Sequence, residues 1–259
     1  MSVQRLIEIM ARLRDPQSGC PWDLAQTWAT IVPHTIEEAY EVAEAVAQDD
    51  PALVRDELGD LLFQVVFQSR IAEERGLFGF DDVANGIADK LQRRHPHVFG
   101  DARIGSAEEQ TLAWEEHKRR ERLAKGKSES ALEGVTLGLP ALTRASKLGQ
   151  RASRAGFDWS AVDGVLAKLR EEIGELEHEI AVRDPGAIED ELGDMLFALA
   201  QLARHLRVDP EAALRRANGK FERRFRTLEG YLAAEGRRTS DADAAELDAL
   251  WERAKQDAG

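Results

Sequence analysis

The chain has 259 residues, of which 43% are apolar and 32% are charged, enough for one large domain or two of ordinary size. Acidic residues outnumber basic ones by 48 to 35, which argues against binding a nucleic-acid polymer, because its phosphates would be repelled. A single cysteine rules out an internal disulfide framework. No apolar run approaches the roughly 18 residues of a membrane span, and the charged N-terminus is unlike a signal peptide. A soluble cytoplasmic protein without membrane contacts is therefore expected.

The predicted elements, taken along the chain, are all helices. Apolar residues recur at three- and four-residue steps, whereas the alternation typical of a strand never persists. Each half has the pattern of a helical hairpin, a further helix and a short helix that bears a tryptophan, Trp114 or Trp251. Asp-Pro pairs at 50–51, 184–185 and 209–210 have the form of an N-cap followed by proline at the first helical position. The sequence predicts an all-α fold of antiparallel bundles, with hairpins so short that a homodimer is expected to close their cores.

The second half of the chain repeats the first. Glu38 returns as Glu172, and its neighbours in the motif return at the same offset of 134 positions. After small gaps, the stretch at 90–94 returns at 220–224. A duplication explains this order and spacing, so two tandem helical-bundle domains are predicted. They cover residues 1–124 and 140–259, and the residues at 125–139, which begin with polar turn formers, are the predicted linker.

Four carboxylates of the second half have the spacing of a metal site. On a helix, Glu172 and Glu175 project about 60° apart. Glu191 and Asp194 do the same on the next helix, and the turn at 184–185 folds the two helices against each other. Their like charges would repel in a partly dry site, and a divalent cation removes that cost. Hard oxygen ligands without cysteine suit Mg²⁺, with Mn²⁺ as the alternative.

A solvated surface is the usual place for a lone Glu-x-x-Glu pair. Here Glu172 lies between Leu169 and Leu176, on the apolar side of its helix. The pairing with a Glu-x-x-Asp on the next helix also occurs twice, at equal separation. These two features favour a metal site over plain surface.

The motifs resemble those of a known family. Glu-Glu-x-x-Glu followed by Glu-x-x-Asp resembles the signature of the all-α nucleoside triphosphate pyrophosphatases. Further stretches are similar to the MazG family in particular, over nearly the whole chain: Gly19-Cys20-Pro21-Trp22-Asp23, residues 35–42, residues 93–99, Gly156-Phe157-Asp158-Trp159 and residues 220–225. The resemblance implies homodimers that hydrolyse a nucleoside triphosphate, such as ATP, to the monophosphate and pyrophosphate. It also implies a role in nucleotide-pool housecleaning or stress control.

The site residues follow from this resemblance and from the chemistry that it implies. The metal ligands carried over are Glu172, Glu175, Glu191 and Asp194, with the first-half counterparts Glu38, Glu41, Glu57 and Asp60. The catalytic carboxylates are Glu171, Glu172 and Glu175, and Glu171 or Glu175 is expected to orient the attacking water as general base. The groups expected to hold the substrate are Lys168, Asn218, Lys220, Arg223, Arg224 and Arg226. Trp251 either stacks on the base or packs in the core, and Phe221 is expected in the core.

The second half is expected to be the main catalytic one, as is usual in the family. Both acidic quartets are complete, so ligand loss does not distinguish the halves. The cationic segments differ, because Pro96 in the first half stands where the second half continues through Arg226. A proline there ends the helix early and removes the counterpart of Arg226. Loss of Glu172 is therefore expected to cost more activity than loss of Glu38.

Two other interpretations stay open at this point. A di-iron carboxylate bundle uses Glu-x-x-His on two helices, and Glu175 with His178 supplies one such pair. The facing helix has Glu191 and Asp194 instead. The second alternative is a non-catalytic helical module that binds a regulatory protein partner, with the acidic quartets at its surface.

Overall fold

The computed structural model of the protein describes residues 2–124, 126 and 130–257. Within these residues the chain forms twelve α-helices, one short 3-10 turn and no strand, so the predicted all-α fold is confirmed. The chain divides into two compact units, Met1–Glu121 and Arg122–Gly259. Four residues of the predicted linker, at 125 and 127–129, lie outside the described residues, and the linker boundaries stay a prediction.

The first unit is built on a hairpin of two long helices. Its helices are α1 (Ser2–Leu13), α2 (Pro21–Ala25), α3 (Trp28–Ala47), α4 (Pro51–Glu74), α5 (Phe80–Arg94), α6 (Pro96–Phe99) and α7 (Ala107–Ala124), the last of which runs past the end of the unit. Helices α3 and α4 pack along each other, and α1 packs on α4. The core between them contains Met10, Ile31, Val66, Phe67 and Ile71.

The second unit repeats this hairpin. Its helices are α8 (Ala141–Arg154), α9 (Val162–Val182), α10 (Pro185–His205), α11 (Pro210–Ala234) and α12 (Ala244–Asp257), with the 3-10 turn at Thr239–Asp241 before α12. Helices α9 and α10 form the hairpin, α8 packs on α10, and α11 packs on α12. Leu228, Leu232 and Ala254 form a buried cluster between α11 and α12.

The predicted Asp-Pro caps begin three of these helices. Asp50 accepts a hydrogen bond from the backbone N–H of Ala52 at 2.9 Å, and Asp184 accepts one from Gly186 at 3.0 Å. Asp209 caps α11 in the same way. Each such cap contributes about 0.5–2 kcal/mol to helix stability. The caps at Asp50 and Asp184 fix the two hairpin turns, and those turns bring the carboxylates of neighbouring helices together.

Many apolar side chains of the long hairpins stay exposed in the single chain. Leu58 and Leu62 on α4 are examples, as are Ile173 on α9 and Leu196 on α10. Phe221, which the sequence placed in the core, is 56% exposed on α11, so that prediction is wrong. Its position on the helix is apolar, but no helix of the second unit covers it fully. None of the described helices combines the length and the apolarity that crossing a bilayer requires.

The packing of α8 on α10 can be tested where the two helices come closest. A Cβ added at Gly149 would lie 1.7 Å from Oε1 of Gln201. Gln201 is fully buried and cannot swing away, because its Nε2 donates to the carbonyl of Ala145 and its Oε1 accepts from Arg204, both at 2.9 Å. We expect Gly149→Ala to lower the free energy of unfolding by about 2–3 kcal/mol through this overpacking, as measured by urea denaturation.

The matched control is Gly230→Ala on α11. A Cβ at Gly230 meets no atom within 4 Å, and replacing a glycine inside a helix stabilises it by roughly 0.5–1 kcal/mol. Gly230→Ala is therefore expected to raise the free energy of unfolding. If both variants shifted stability in the same direction, the close approach of α8 and α10 would be contradicted.

Candidate metal and nucleotide site

Three carboxylates of the second unit meet between α9 and α10. Glu172, Glu175 and Glu191 each place one carboxylate oxygen within 4.8 Å of the others. Glu172 is only 4% exposed, as its place on the apolar side of its helix predicted. Asp194 does not belong to this close group of three. The structure therefore brings together three of the four predicted ligands.

The carboxylates of this cluster repel one another. Burial raises the pKa of Glu191 above its usual value, and neighbouring carboxylates raise it further because like charges disfavour ionisation. Those neighbours include Glu175, Glu172 and Asp194, in order of effect. Asp194 thus lies near enough to act on Glu191 even though it stands outside the group of three. A bound cation would relieve this repulsion.

Lys168 lies on the edge of the same cluster. Its Nζ is 2.8 Å from Oε1 of Glu171 and 2.9 Å from Oε1 of Glu172. These contacts raise the pKa of Lys168 and keep it cationic. Lys168, predicted as a substrate contact, is therefore engaged by carboxylates in this structure. Glu171 is exposed and is held by Lys168 outside the close group, whereas Glu175, the other predicted general base, belongs to it.

The first unit has a matching cluster of Glu38, Glu41 and Glu57 between α3 and α4. Burial raises the pKa of Glu38, and so does its contact with Glu41. Burial likewise raises the pKa of Glu57, and the nearby charges of Glu41 and Asp60 add to the effect. As in the second unit, the aspartate, here Asp60, acts on the cluster from outside the group of three.

One difference between the two clusters is the polar group beside the most buried glutamate. The position 134 residues before Lys168 is occupied by His34, which contacts Glu37 at 3.5 Å. Glu38 instead accepts a hydrogen bond from Nε2 of Gln64 at 3.4 Å. In the second unit a cation neutralises the buried carboxylate, whereas in the first unit a neutral amide contacts it.

The predicted phosphate-binding cations lie on α11. By helical geometry, Lys220, Arg223 and Arg224 project within about 100° of one another. Among the described residues none of these three forms an ion pair, and Nε of Arg224 is buried without a hydrogen-bond partner. Arg226 differs, because it pairs with Glu222 at 3.1 Å on an exposed surface. Of the predicted cations on α11, Lys220, Arg223 and Arg224 are therefore available for an anionic ligand.

Two further predicted contacts are placed less favourably. Asn218 projects about 160° away from Lys220 around the helix axis. Trp251 packs beside the Leu228 cluster, and its ring centroid lies 5.2 Å from that of Phe221. This arrangement favours the packing role of Trp251, and stacking on a base stays a prediction.

The predicted early helix end in the first unit is confirmed. Helix α5 ends at Arg94 and α6 begins at Pro96, whereas α11 continues to Ala234. The first unit therefore has no counterpart of Arg226 on a continuous helix. The prediction succeeded because proline cannot donate the hydrogen bond that the continuing helix needs.

Sequence reasoning missed the anchoring of the loop before α9. Asp158, within one of the motifs that carry the resemblance, accepts hydrogen bonds from Nη1 and Nη2 of Arg204 at 3.0 and 2.5 Å. His205 contacts the same carboxylate at 3.0 Å. The guanidinium of Arg204 holds the pKa of Asp158 well below its usual value. This loop is thereby tied to α10, the helix that carries Glu191.

The geometry does not reproduce the di-iron alternative. In the part of the chain that the structure describes, neither acidic cluster contains a histidine. His178, which supplied the one Glu-x-x-His pair, lies outside the group of three around Glu175. The donor set is thus made only of carboxylate oxygens, which suit a hard divalent cation.

Comparison with known proteins decides the family. The model of the MazG nucleotide pyrophosphohydrolase domain matches residues 26–99 and 161–228, one segment in each unit. The chain belongs to the MazG family. Each matched segment contains one complete acidic quartet of this MazG protein, in agreement with a family domain that occurs twice in tandem.

Similar proteins extend over almost the whole chain. A nucleoside triphosphate pyrophosphohydrolase of Escherichia coli (strain K12) is 48% identical over 98% of this chain and 97% of its own length. A nucleoside triphosphate pyrophosphohydrolase/pyrophosphatase MazG of Thermotoga maritima is 42% identical over 97% of this chain and 95% of its own. A nucleoside triphosphate pyrophosphohydrolase of Mycobacterium tuberculosis is 38% identical over 60% of this chain and 46% of its own length. The first two share both units of this MazG protein.

Proposed function

We propose that this protein hydrolyses nucleoside triphosphates, ATP among them, to the monophosphate and pyrophosphate at the acidic cluster of the second unit. The observation that carries the proposal is the convergence of Glu172, Glu175 and Glu191 in a chain of the MazG family. Its relatives from E. coli and T. maritima are named as enzymes of this activity. The cellular role that fits such an activity is nucleotide-pool housecleaning or stress control.

The cluster fits Mg²⁺, with Mn²⁺ as the alternative. Three carboxylates with oxygens within 4.8 Å of one another offer only hard ligands. Burial raises the pKa of Glu191 and the neighbouring carboxylates raise it further, which supports a cation at this place. Glu172, Glu175 and Glu191 would hold the cation, with Asp194 nearby. A cation bound there would neutralise phosphate oxygens and make a water molecule more acidic.

The residues of the chain divide the remaining tasks. Glu175 is the better candidate for general base, through a carboxylate oxygen that the cation leaves free, since Glu171 is paired with Lys168 outside the cluster. A carboxylate in this position accepts the proton of the attacking water. Lys220, Arg223 and Arg224 bind the remaining phosphates, because they carry charge without a partner among the described residues.

We also propose that the protein forms a homodimer. Apolar side chains such as Ile173, Leu192 and Leu196 stay exposed on α9 and α10, next to the acidic cluster. Exposed apolar surface of this kind is typical of helices that pack against a second copy. A regulatory protein partner is the other occupant that this surface would suit.

Product analysis tests the proposal. The protein is incubated with Mg²⁺ and a panel of nucleoside triphosphates, and the products are separated by chromatography. Monophosphate plus pyrophosphate, lost on chelation of the metal, is the expected result. Diphosphate plus inorganic phosphate would contradict the assigned reaction, and no turnover of any nucleotide would favour a binding module instead.

A further inference from the structure

A glutamate of the first unit binds the two arginines that correspond to the phosphate-binding pair of the second. Oε1 of Glu121 on α7 lies 3.1 Å from Nη2 of Arg93 and accepts from Nε of Arg94 at 3.2 Å. Oε2 of Glu121 also pairs with Nη2 of Arg94. Arg94 is 12% exposed, and its guanidinium lies 5.7 Å from the ring centre of Trp114. Both arginines are therefore paired with a carboxylate of their own unit.

The pairing with Arg93 and Arg94 favours the ionised form of Glu121. Hydrogen bonds from Arg94 and Arg93 lower the pKa of Glu121 to about 2. Glu121 therefore keeps its negative charge throughout the neutral pH range. A charged and bidentate Arg–carboxylate pair of this kind is among the stronger polar contacts in proteins.

The described residues of the second unit contain no such arrangement. Arg93 and Arg94 correspond to Arg223 and Arg224 in the repeat, which have no ion pair among the described residues. Counted from the two tryptophans at the repeat positions, Glu121 corresponds to Ala258. Ala258 lies outside the described residues, and the comparison at that position rests on residue type alone. An alanine offers no charge to either arginine.

We infer that Glu121 prevents the first unit from binding a nucleoside triphosphate by occupying the two arginines that would otherwise bind its phosphates. The inference rests on the proposed function of the second unit. A triphosphate approaching α5 would have to displace Glu121 from Arg94 and would meet a carboxylate of its own sign. On α11 no carboxylate of the described residues pairs with Arg223 or Arg224, so a triphosphate has no such partner to displace.

The other differences between the units do not change whether Arg93 and Arg94 are available. Both units have a close group of three carboxylates, and the replacement of Lys168 by His34 in the first unit affects that group and not the two arginines. Pro96 removes only the counterpart of Arg226. Arg226 is exposed and already paired with Glu222, so its absence from the first unit takes away little. Glu121 is the difference that changes the availability of Arg93 and Arg94.

Binding stoichiometry of the full chain tests this inference. The probe is α,β-methylene-ATP with Mg²⁺, which resists cleavage of the bond between the α- and β-phosphates, and binding is measured by titration calorimetry. The native protein is expected to bind one molecule per chain. Glu121→Gln is expected to bind two, because glutamine keeps the shape and one acceptor but removes the charge. Adding Glu38→Gln to Glu121→Gln is expected to return the value to one.

The matched control is Glu116→Gln on the same helix. It removes the same charge from an exposed pair with Arg120 at 2.8 Å and is expected to leave one molecule per chain. Glu121→Ala, which copies the residue of the second unit, serves as the second variant if Glu121→Gln unfolds by circular dichroism. One molecule per chain in a folded Glu121 variant, or two in the native protein, would overturn the inference. Turnover of triphosphates by the native protein tests the proposed function separately, so the two failures are distinguishable.

Discussion

Glu172→Gln is expected to lower kcat/KM for the favoured triphosphate by about 10³-fold, whereas the matched Glu38→Gln is expected to change it less than about threefold. Glu172 is the most buried carboxylate of its cluster, and its charge is part of the set that holds the cation. Glutamine has the same shape but cannot supply that charge. Steady-state kinetics of the two variants, with Mg²⁺ in excess, measures the difference.

The loss of activity in Glu172→Gln is expected to come from the metal site and not from misfolding, which can be checked directly. Lys168 loses one partner in Glu172→Gln but keeps Glu171 at 2.8 Å. Thermal unfolding is therefore expected to change little, and Mg²⁺ binding by calorimetry is expected to weaken in parallel with activity. Equal losses of activity in Glu172→Gln and Glu38→Gln would contradict the assignment of the second unit as the catalytic one.

Local patterns were sufficient to predict the helices and the carboxylate clusters. The Asp-Pro pairs at 50–51 and 184–185 act through contacts two or three residues away, so they can be recognised without the fold. Glu172 between Leu169 and Leu176 had to face inward, because the apolar stripe of a helix faces the core. Both features depend only on residues a few positions apart in the sequence.

Pairings between distant residues were not predictable in this way. Arg94 and Glu121 are 27 residues apart on different helices, and no periodicity links them. The contact of Asp158 with Arg204 spans 46 residues. The contact of Lys168 with Glu172 is an exception, because it has the i,i+4 spacing of a helical ion pair and this spacing is visible in the sequence. The predicted burial of Phe221 was wrong for a different reason, because an apolar position on a helix is buried only where a neighbouring helix covers it.

Arg224→Met is expected to lower activity and Arg94→Met to lower stability, although the two arginines occupy equivalent positions of the repeat. We expect Arg224→Met to lower kcat/KM by about 10²-fold, because it removes a phosphate-binding charge, and to leave stability nearly unchanged. Nε of Arg224 is buried without a partner, and its guanidinium forms no hydrogen bond or ion pair with the described residues, so the substitution removes no such contact among them. Methionine retains most of the apolar stem that packs against the helix.

Arg94→Met is expected to leave activity unchanged and to lower the free energy of unfolding by about 1–2 kcal/mol, because Glu121 loses one of its two described arginine partners and keeps Arg93. Steady-state kinetics and urea denaturation of the two variants measure both effects. If Arg94→Met lowered kcat/KM as much as Arg224→Met does, the arginines of the first unit would be binding substrate despite Glu121. If Arg224→Met lost stability instead of activity, Arg224 would be a packing residue, and phosphate binding on α11 would rest on Lys220 and Arg223 alone.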